Sequence, residues 1–330
     1  MSIFSPASAF SAADGVRDEA LVELLACLKA QHYRFITPTP ATHSRVLANR
    51  SGQQALNLRD VLGWSLPFEP EVLPSPVLAL LQTAQALDSL PDGRFRSRYR
   101  VSSLGKDLLL HSAYPTSSAD AVFFGPDSYR FVDFVLGEMT RHPPRPGESL
   151  VDIGTGAGAG AIAAARAFPE LRITMTDINP QALMLAQVNA HAAGLSCDMA
   201  LGAYLDPIAG MVDRIIANPP YMADDEKRAY RDGGQWHGAQ ISVEITRRAL
   251  PRLRPGGQLY LYSGSAIVAG EDRMRAALER LAREHGCTMH YREIDPDVFG
   301  EELDRPLYRH VERIAAIGAV LALPKSPNMG

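Results

Sequence analysis

Apolar positions follow two different rhythms along this chain. Up to about residue 114 they recur mainly at helical spacing. Beyond residue 130, short apolar runs alternate with helical stripes. In the first part, Leu21, Leu24, Leu25 and Leu28 predict a helix over 19–31. A second helix is predicted over 42–49 with Thr42 as its cap, and a third over 56–62 ended by Gly63. A fourth is predicted over 76–87 with Pro76 in its first turn. The period then changes to two. Residues 94–101 read as a strand, and 106–111 return as a second strand to make a hairpin. Alternation places Arg94, Arg96, Arg98 and Arg100 on one face of the first strand. That face reads either as a contact for phosphate or an acidic partner, or as a solvated edge that discourages further pairing.

The second part opens with a Gly-Pro-Asp-Ser turn at 125–128 and a helical stripe of Phe131, Phe134, Val135 and Met139. A proline-rich link over 142–147 leads into strands predicted at 149–153, 171–176, 196–201, 211–216 and 258–262. Helices at 161–168, 181–192, 241–250 and 271–284 alternate with them, and two closing strands follow at 288–294 and 311–321. Alternation of this kind predicts an α/β fold built on a largely parallel, doubly wound sheet. The chain accordingly divides into a tail (1–17), a small helical domain (18–117), a main α/β domain (118–323) and a short end (324–330).

Composition narrows the function classes only a little. A length of 330 residues suits two domains, and the net charge of −4 argues against wholesale coating of nucleic acid. Cys27, Cys197 and Cys287 form neither a metal spacing nor a disulfide framework, so a reducing compartment and no metal are expected. No apolar run reaches transmembrane length, and the Ser/Ala-rich start lacks a basic segment, so the chain reads as cytoplasmic with no membrane partner.

Chemistry concentrates at three strand ends. The first strand of the α/β part runs into Gly154-Thr155-Gly156-Ala157-Gly158, where glycines allow tight turning and close approach of a ligand to a helix N-terminus. The second ends at Asp177, whose carboxylate suits two ribose hydroxyls, although Asp177 or Asn179 also serves as a helix cap. The strand before Asn218-Pro219-Pro220-Tyr221 delivers an amide side chain, outward carbonyls and an aromatic ring to the edge where ligands bind in open α/β sheets. Two acceptors and a ring fit a flat, NH-bearing group. The plain alternative is a turn. The 222–238 stretch that follows, with Gly233-Gly234 and His237, is too polar and long for core and reads as a lid.

Asn-Pro-Pro-Tyr resembles the signature of class I S-adenosylmethionine-dependent N-methyltransferases. The glycine spacing resembles their first motif. Phe123 to Ser128 resembles the Pro-Asp-Thr stretch that precedes the core in HemK-type release-factor glutamine methyltransferases, although Tyr129 and Arg130 stand where that family usually has acidic residues. The resemblance implies a seven-stranded Rossmann-like sheet with a closing antiparallel strand. It assigns S-adenosylmethionine, with S-adenosylhomocysteine as product, to Asp152, Gly154, Thr155, Gly156, Gly158, Asp177, Ile178, Asn179, Tyr204 and Asn218. The adenine amine falls to backbone groups, Tyr204 or Asp206, because Ala203 and Tyr204 stand where the family often has an acid. Substrate falls to Asn218, Pro219, Pro220 and Tyr221, with Asn218, Pro219 and Tyr221 catalytic. The order of elements before residue 114 resembles a winged-helix module, for which substrate recognition is expected. The implied acceptor is a planar nitrogen on a protein glutamine or nucleic-acid base, or alternatively on a small molecule. A dehydrogenase using NAD(P) shares the loop and Asp177. A non-catalytic cofactor-binding module would keep the fold alone.

Overall fold

A computed structural model describes residues 12–50, 54–116, 118–222 and 231–325. The chain divides into two units, Met1–Pro115 and Thr116–Gly330. The first contains α1 (Ala12–Ala30), α2 (Pro40–Ala48), α3 (Leu58–Leu62), α4 (Ser75–Thr83), β1 (Leu87–Ser89), β2 (Phe95–Ser97), β3 (Tyr99–Leu104) and β4 (Asp107–Ser112). The leucine stripe of α1 is fully buried, as its spacing predicts. The cap of α2 is Thr39 rather than Thr42: Thr39 accepts from the Thr42 N–H at 3.2 Å, and Pro40 starts the helix two residues early. α4 stops at Thr83 instead of running to 87, because Gln85 turns left-handed (φ 52°) and releases the chain into β1.

The arginine strand is also different from expectation. It breaks at Arg98 into β2, paired with β1, and β3, paired with β4 through a turn at Gly105. The four arginines therefore do not share one solvated face. Arg100 is buried and donates its Nε to the Gly63 carbonyl at 2.9 Å. Arg98 pairs with Asp88 at 2.7 Å and Arg94 with Asp92 at 2.6 Å.

The second unit contains α5 (Pro126–Arg141), β5 (Ser149–Ile153), α6 (Ala159–Ala167), β6 (Arg172–Asp177), α7 (Pro180–Ala192), β7 (Asp198–Leu201), β8 (Val212–Ala217), α8 (Gln240–Ala249) and β9 (Leu253–Val268). It ends with β10 (Glu271–Asp272), α9 (Arg273–Glu284), β11 (Thr288–Asp295) and β12 (Arg313–Ala322). The sheet order is β11-β12-β9-β8-β5-β6-β7, with the two-residue β10 folded back on β9. Strands β5 to β9 are parallel, and β12 runs antiparallel between β9 and β11. This is the expected Rossmann-like sheet with its closing antiparallel strand. One face carries Val151, Ile153, Ile215, Ala217, Leu259 and Leu261 into a core shared with α8 and α9. On the opposite face α5 lies so close that a Cβ at Gly160 would fall 2.5 Å from Phe131 and 2.9 Å from Ile216.

β9 begins at Leu253 rather than 258, and a register shift lets Pro255-Gly256-Gly257 stay within the strand. The last helix begins two residues later than its pattern suggests, because Asp272 caps it by accepting from the Arg275 N–H at 2.9 Å.

Connectivity fixes where a ligand can sit. From β5 the chain winds one way through β6 and β7, then crosses back to β8 and β9. The crevice therefore opens at the carboxyl ends of β5 and β8. Ile153 pairs with Ala217 and with Thr176. That register sets the glycine loop, Asp177 and Asn218 side by side.

Candidate active site

Behind β5 the backbone turns through Gly154 (φ 66°), Gly156 (φ 56°) and Gly158 (φ 82°), a conformation that side chains resist. Asp152 lies beneath this loop rather than facing the crevice: one carboxylate oxygen accepts from Thr155 Oγ1 at 2.8 Å and from the Ala161 N–H at 3.0 Å. Burial pushes its pKa up to about 7, against the pull of those two hydrogen bonds. Asp152 and Thr155 thus hold the loop in shape. Above it, Asp152 takes the Ala161 N–H of the first turn of α6, the N-cap Gly158 adds no side-chain bond, and the space beside the Gly154 Cα is open.

Asp177 faces the same crevice from the end of β6. Its two oxygens accept from the N–H groups of Gly156 at 3.0 Å and Asn179 at 2.9 Å, and burial raises its pKa. Ile178, next to it, is 60% exposed, an apolar surface without cover. Asn179 has two local roles. It caps α7 by accepting from the Gln181 N–H at 3.0 Å, and it donates to the Asp120 carbonyl at 2.8 Å. Tyr204 is left-handed (φ 53°) and its ring lies 4.5 Å under the Arg248 guanidinium. Asp206, the alternative for the adenine amine, pairs with that same arginine at 3.3 Å.

At the end of β8, Asn218 is half-buried. Its Oδ1 is buried and has no hydrogen-bond partner among the described residues. An amide oxygen withdrawn from water and left unpaired costs free energy unless something supplies a donor. Pro219 is buried beside it. After Tyr221 the chain doubles back, with the Gly233 N–H donating to the Met222 carbonyl at 2.7 Å. A Cβ at Gly233 would sit 2.8 Å from the Pro220 carbonyl, so this return closes the back of the turn. Within the proposed lid, Trp236 is 54% exposed and the His237 pKa is lowered, chiefly by burial. Its central part, 223–230, lies outside the described residues.

The ring of Tyr221 is held on several sides. It meets Tyr262 and Phe299 edge-on at centroid distances of 6.4 and 5.9 Å. A Cβ at Gly264 would fall 2.7 Å from its Cε2. The Tyr262 phenol donates to Asp127 at 2.8 Å, and the Tyr221 phenol lies near enough to the same carboxylate to interact with it. Burial raises the Asp127 pKa, while the two phenols and Arg130 draw it down. Burial first, and then the nearby carboxyl, keeps both phenols far above their ordinary range, so they remain neutral donors. Arg130 joins Asp127 (3.3 Å) to Asp295 (3.1 Å). The tyrosine is therefore a clamped wall of the turn.

Asp127, Tyr262 and Gly264 are absent from the residues singled out in the sequence. Asp127 stands in a turn-like Gly-Pro-Asp-Ser context that explains it locally. Tyr262 reads as one more apolar strand position. Nothing local marks Gly264 as the space for a ring.

Residues 133–284 match the family model of the methyltransferase small domain. The matched span lies wholly within the second unit. The match runs from within α5 through the glycine loop, Asp177 and Asn218 to the end of α9. Two relatives are each named release factor glutamine methyltransferase. One, from Deinococcus radiodurans, is 33% identical over 189 residues, covering 54% of this chain and 66% of that protein. The other, from Moorella thermoacetica, is 34% identical over 177 residues, covering 47% and 62%. A solved methyltransferase from Pyrococcus furiosus superimposes at a TM-score of 0.41 with 17% identity, over 58% of this chain and 83% of that one. The chain thus spans a little under two thirds of the length of these two curated relatives. Among the described residues, no helix of either unit is long and apolar enough to cross a membrane.

Proposed function

We propose that this chain transfers the methyl group of S-adenosylmethionine to a planar amide nitrogen, with a protein glutamine side chain as the favoured acceptor. The observation that carries this reading is the buried, unpartnered Oδ1 of Asn218 at the carboxyl end of β8. A primary amide or aromatic amine supplies the missing donor. Its second N–H is taken by the neighbouring Pro219 carbonyl. Two acceptors on one NH₂ fix its orientation and favour the pyramidal nitrogen reached during transfer, so the interaction strengthens toward the transition state. Tyr221, held by Asp127, Tyr262 and Gly264, keeps the turn rigid so that this alignment is not lost.

The residues on the cofactor side fit S-adenosylmethionine. The glycine turn at the start of α6, where the N-cap Gly158 adds no side-chain bond, and the open space at Gly154 suit a carboxylate, the Asp177 oxygens suit ribose hydroxyls, and exposed Ile178 suits the adenine face. When bound, the cofactor supplies an electrophilic methyl group, and the chain supplies alignment.

A glutamine acceptor is favoured over a nucleobase for two reasons. The relatives are named for a release-factor glutamine, and the arginine strand no longer offers a continuous basic face. Cofactor identity is tested by calorimetry of the full chain with S-adenosylhomocysteine and with NAD. Heat is expected from the first only. Asp177→Ala should weaken it by about 1.5–3 kcal/mol for each charge-assisted hydrogen bond lost. Binding of NAD alone would overturn the methyltransferase reading.

A further inference from the structure

The first unit contains a cavity of about 380 Å³ whose chemistry has no part in methyl transfer. One wall comes from β2. Phe95 bridges Phe68 through paired N–H···O bonds of 2.9 Å, and strand alternation turns Arg94 and Arg96 to the opposite side, where both line the cavity. The other walls include Trp64, Tyr114 and Leu47, and no acidic side chain lines the space. His43, wholly buried, braces the aromatic wall with its ring 5.2 Å from Trp64 and 4.1 Å from Tyr114.

The arginines of residues 94–100 differ sharply in how they are satisfied. Arg94 donates twice to Asp92, Arg98 pairs with Asp88, and Arg100 bonds to the Gly63 carbonyl. Arg96 alone of the four makes no hydrogen bond or ion pair with the described residues, and its Nε is buried. Asp88, its cross-strand neighbour on β1, pairs instead with Arg98, so this guanidinium, partly withdrawn from water beside two flat rings, has no direct partner, which is costly unless a ligand supplies one. Its planar fork matches a carboxylate or a phosphate, and the rings offer apolar faces to whatever carries that group. The volume lies within the range of small-molecule pockets, about 300–1,000 Å³.

We propose that this cavity binds an oxyanion, either a carboxylate or a phosphate, carried on a flat apolar body, with Arg96 as its anchor and Trp64 and Tyr114 as its walls. The site lies wholly within the first unit and stands independently of the methyl-transfer reading.

Trp64 provides the readout. The chain has two tryptophans, so Trp236→Phe leaves Trp64 as the sole indole reporter. Full-length protein of that background is titrated with benzoate, phenyl phosphate and benzylamine. At least one of the two anions should change Trp64 emission saturably, and the tighter of them identifies the anionic group. Benzylamine should give no saturable change. Arg96→Gln should weaken binding about 10- to 100-fold, as expected for loss of a charge-assisted contact. Leu47→Phe, which fills the cavity while leaving Arg96 in place, should abolish the response, and it decides the matter should Arg96→Gln fail to fold. Absence of saturation with both anions, an equal response to benzylamine, or undiminished binding in Leu47→Phe or in a folded Arg96→Gln protein would overturn the proposal.

Discussion

Replacing Asn218 by Ala separates catalysis from stability more cleanly than any other change in the domain. In the folded protein its Oδ1 is buried and has no hydrogen-bond partner among the described residues. Removing such an oxygen relieves a desolvation cost of about 1–3 kcal/mol, which offsets the packing lost with the side chain. Thermal and denaturant unfolding of Asn218→Ala should therefore match the parent or exceed it slightly. Activity should behave oppositely. Loss of one preorganised hydrogen-bonding group at a reacting centre costs about 10²–10³ in rate, roughly 2.7–4 kcal/mol. The loss should fall on kcat, because the interaction strengthens as the nitrogen pyramidalises. Affinity for S-adenosylhomocysteine should hold if the glycine loop, one strand away, carries most of the binding. Single-turnover methylation of a release factor, run alongside calorimetry and denaturation, measures all three. A variant that folds, binds cofactor and methylates at the parental rate would refute the role given to this turn. A stability loss of several kcal/mol would instead show that the oxygen has a structural partner.

Gly264→Ala places a methyl group against the Tyr221 ring and should cost about 1–3 kcal/mol by overpacking, seen in denaturant unfolding. It should also lower kcat by shifting the turn, whereas unchanged turnover would show that the ring's position is immaterial. Burial lowers the His43 pKa to about 4, aided by the Arg100 charge. Between about 4 and the unfolded value of about 6.5 the unfolded chain binds the extra proton, so this stability is complete above pH 6.5 and is lost as pH falls toward 4. Melts of the full chain should show that slope, and His43→Phe should reduce it, leaving the part due to buried His111, whose pKa burial also lowers. An equal slope in the variant would remove His43 from the account.

The α/β half of the fold is legible because its central strands β5, β6 and β8 are short, largely apolar runs that end in identifiable turns, and because the three chemical motifs sit at their ends. Sheet order is needed to bring those ends together, and no local pattern states that β8 lies beside β5. The first unit is less legible. Its arginine strand has a clean period of two, yet Arg98 interrupts the pairing and Arg100 turns inward to a backbone carbonyl. Alternation specifies side, not whether that side meets solvent. At the site, Asn218 and the glycines carry their chemistry in their own residue types. Asp127, Tyr262 and Gly264 gain theirs only from what the fold sets against Tyr221, a long-range property that spacing does not encode.

The most direct test of the central claim is transfer of labelled methyl from S-adenosylmethionine by the full chain into cell extract, followed by hydrolysis and analysis of the labelled residue. Label is predicted in the protein fraction as N5-methylglutamine, present with the parent and reduced about 10²–10³-fold with Asn218→Ala. Label confined to nucleic acid or small molecules would contradict the glutamine acceptor, and no transfer to any fraction would contradict the enzyme itself.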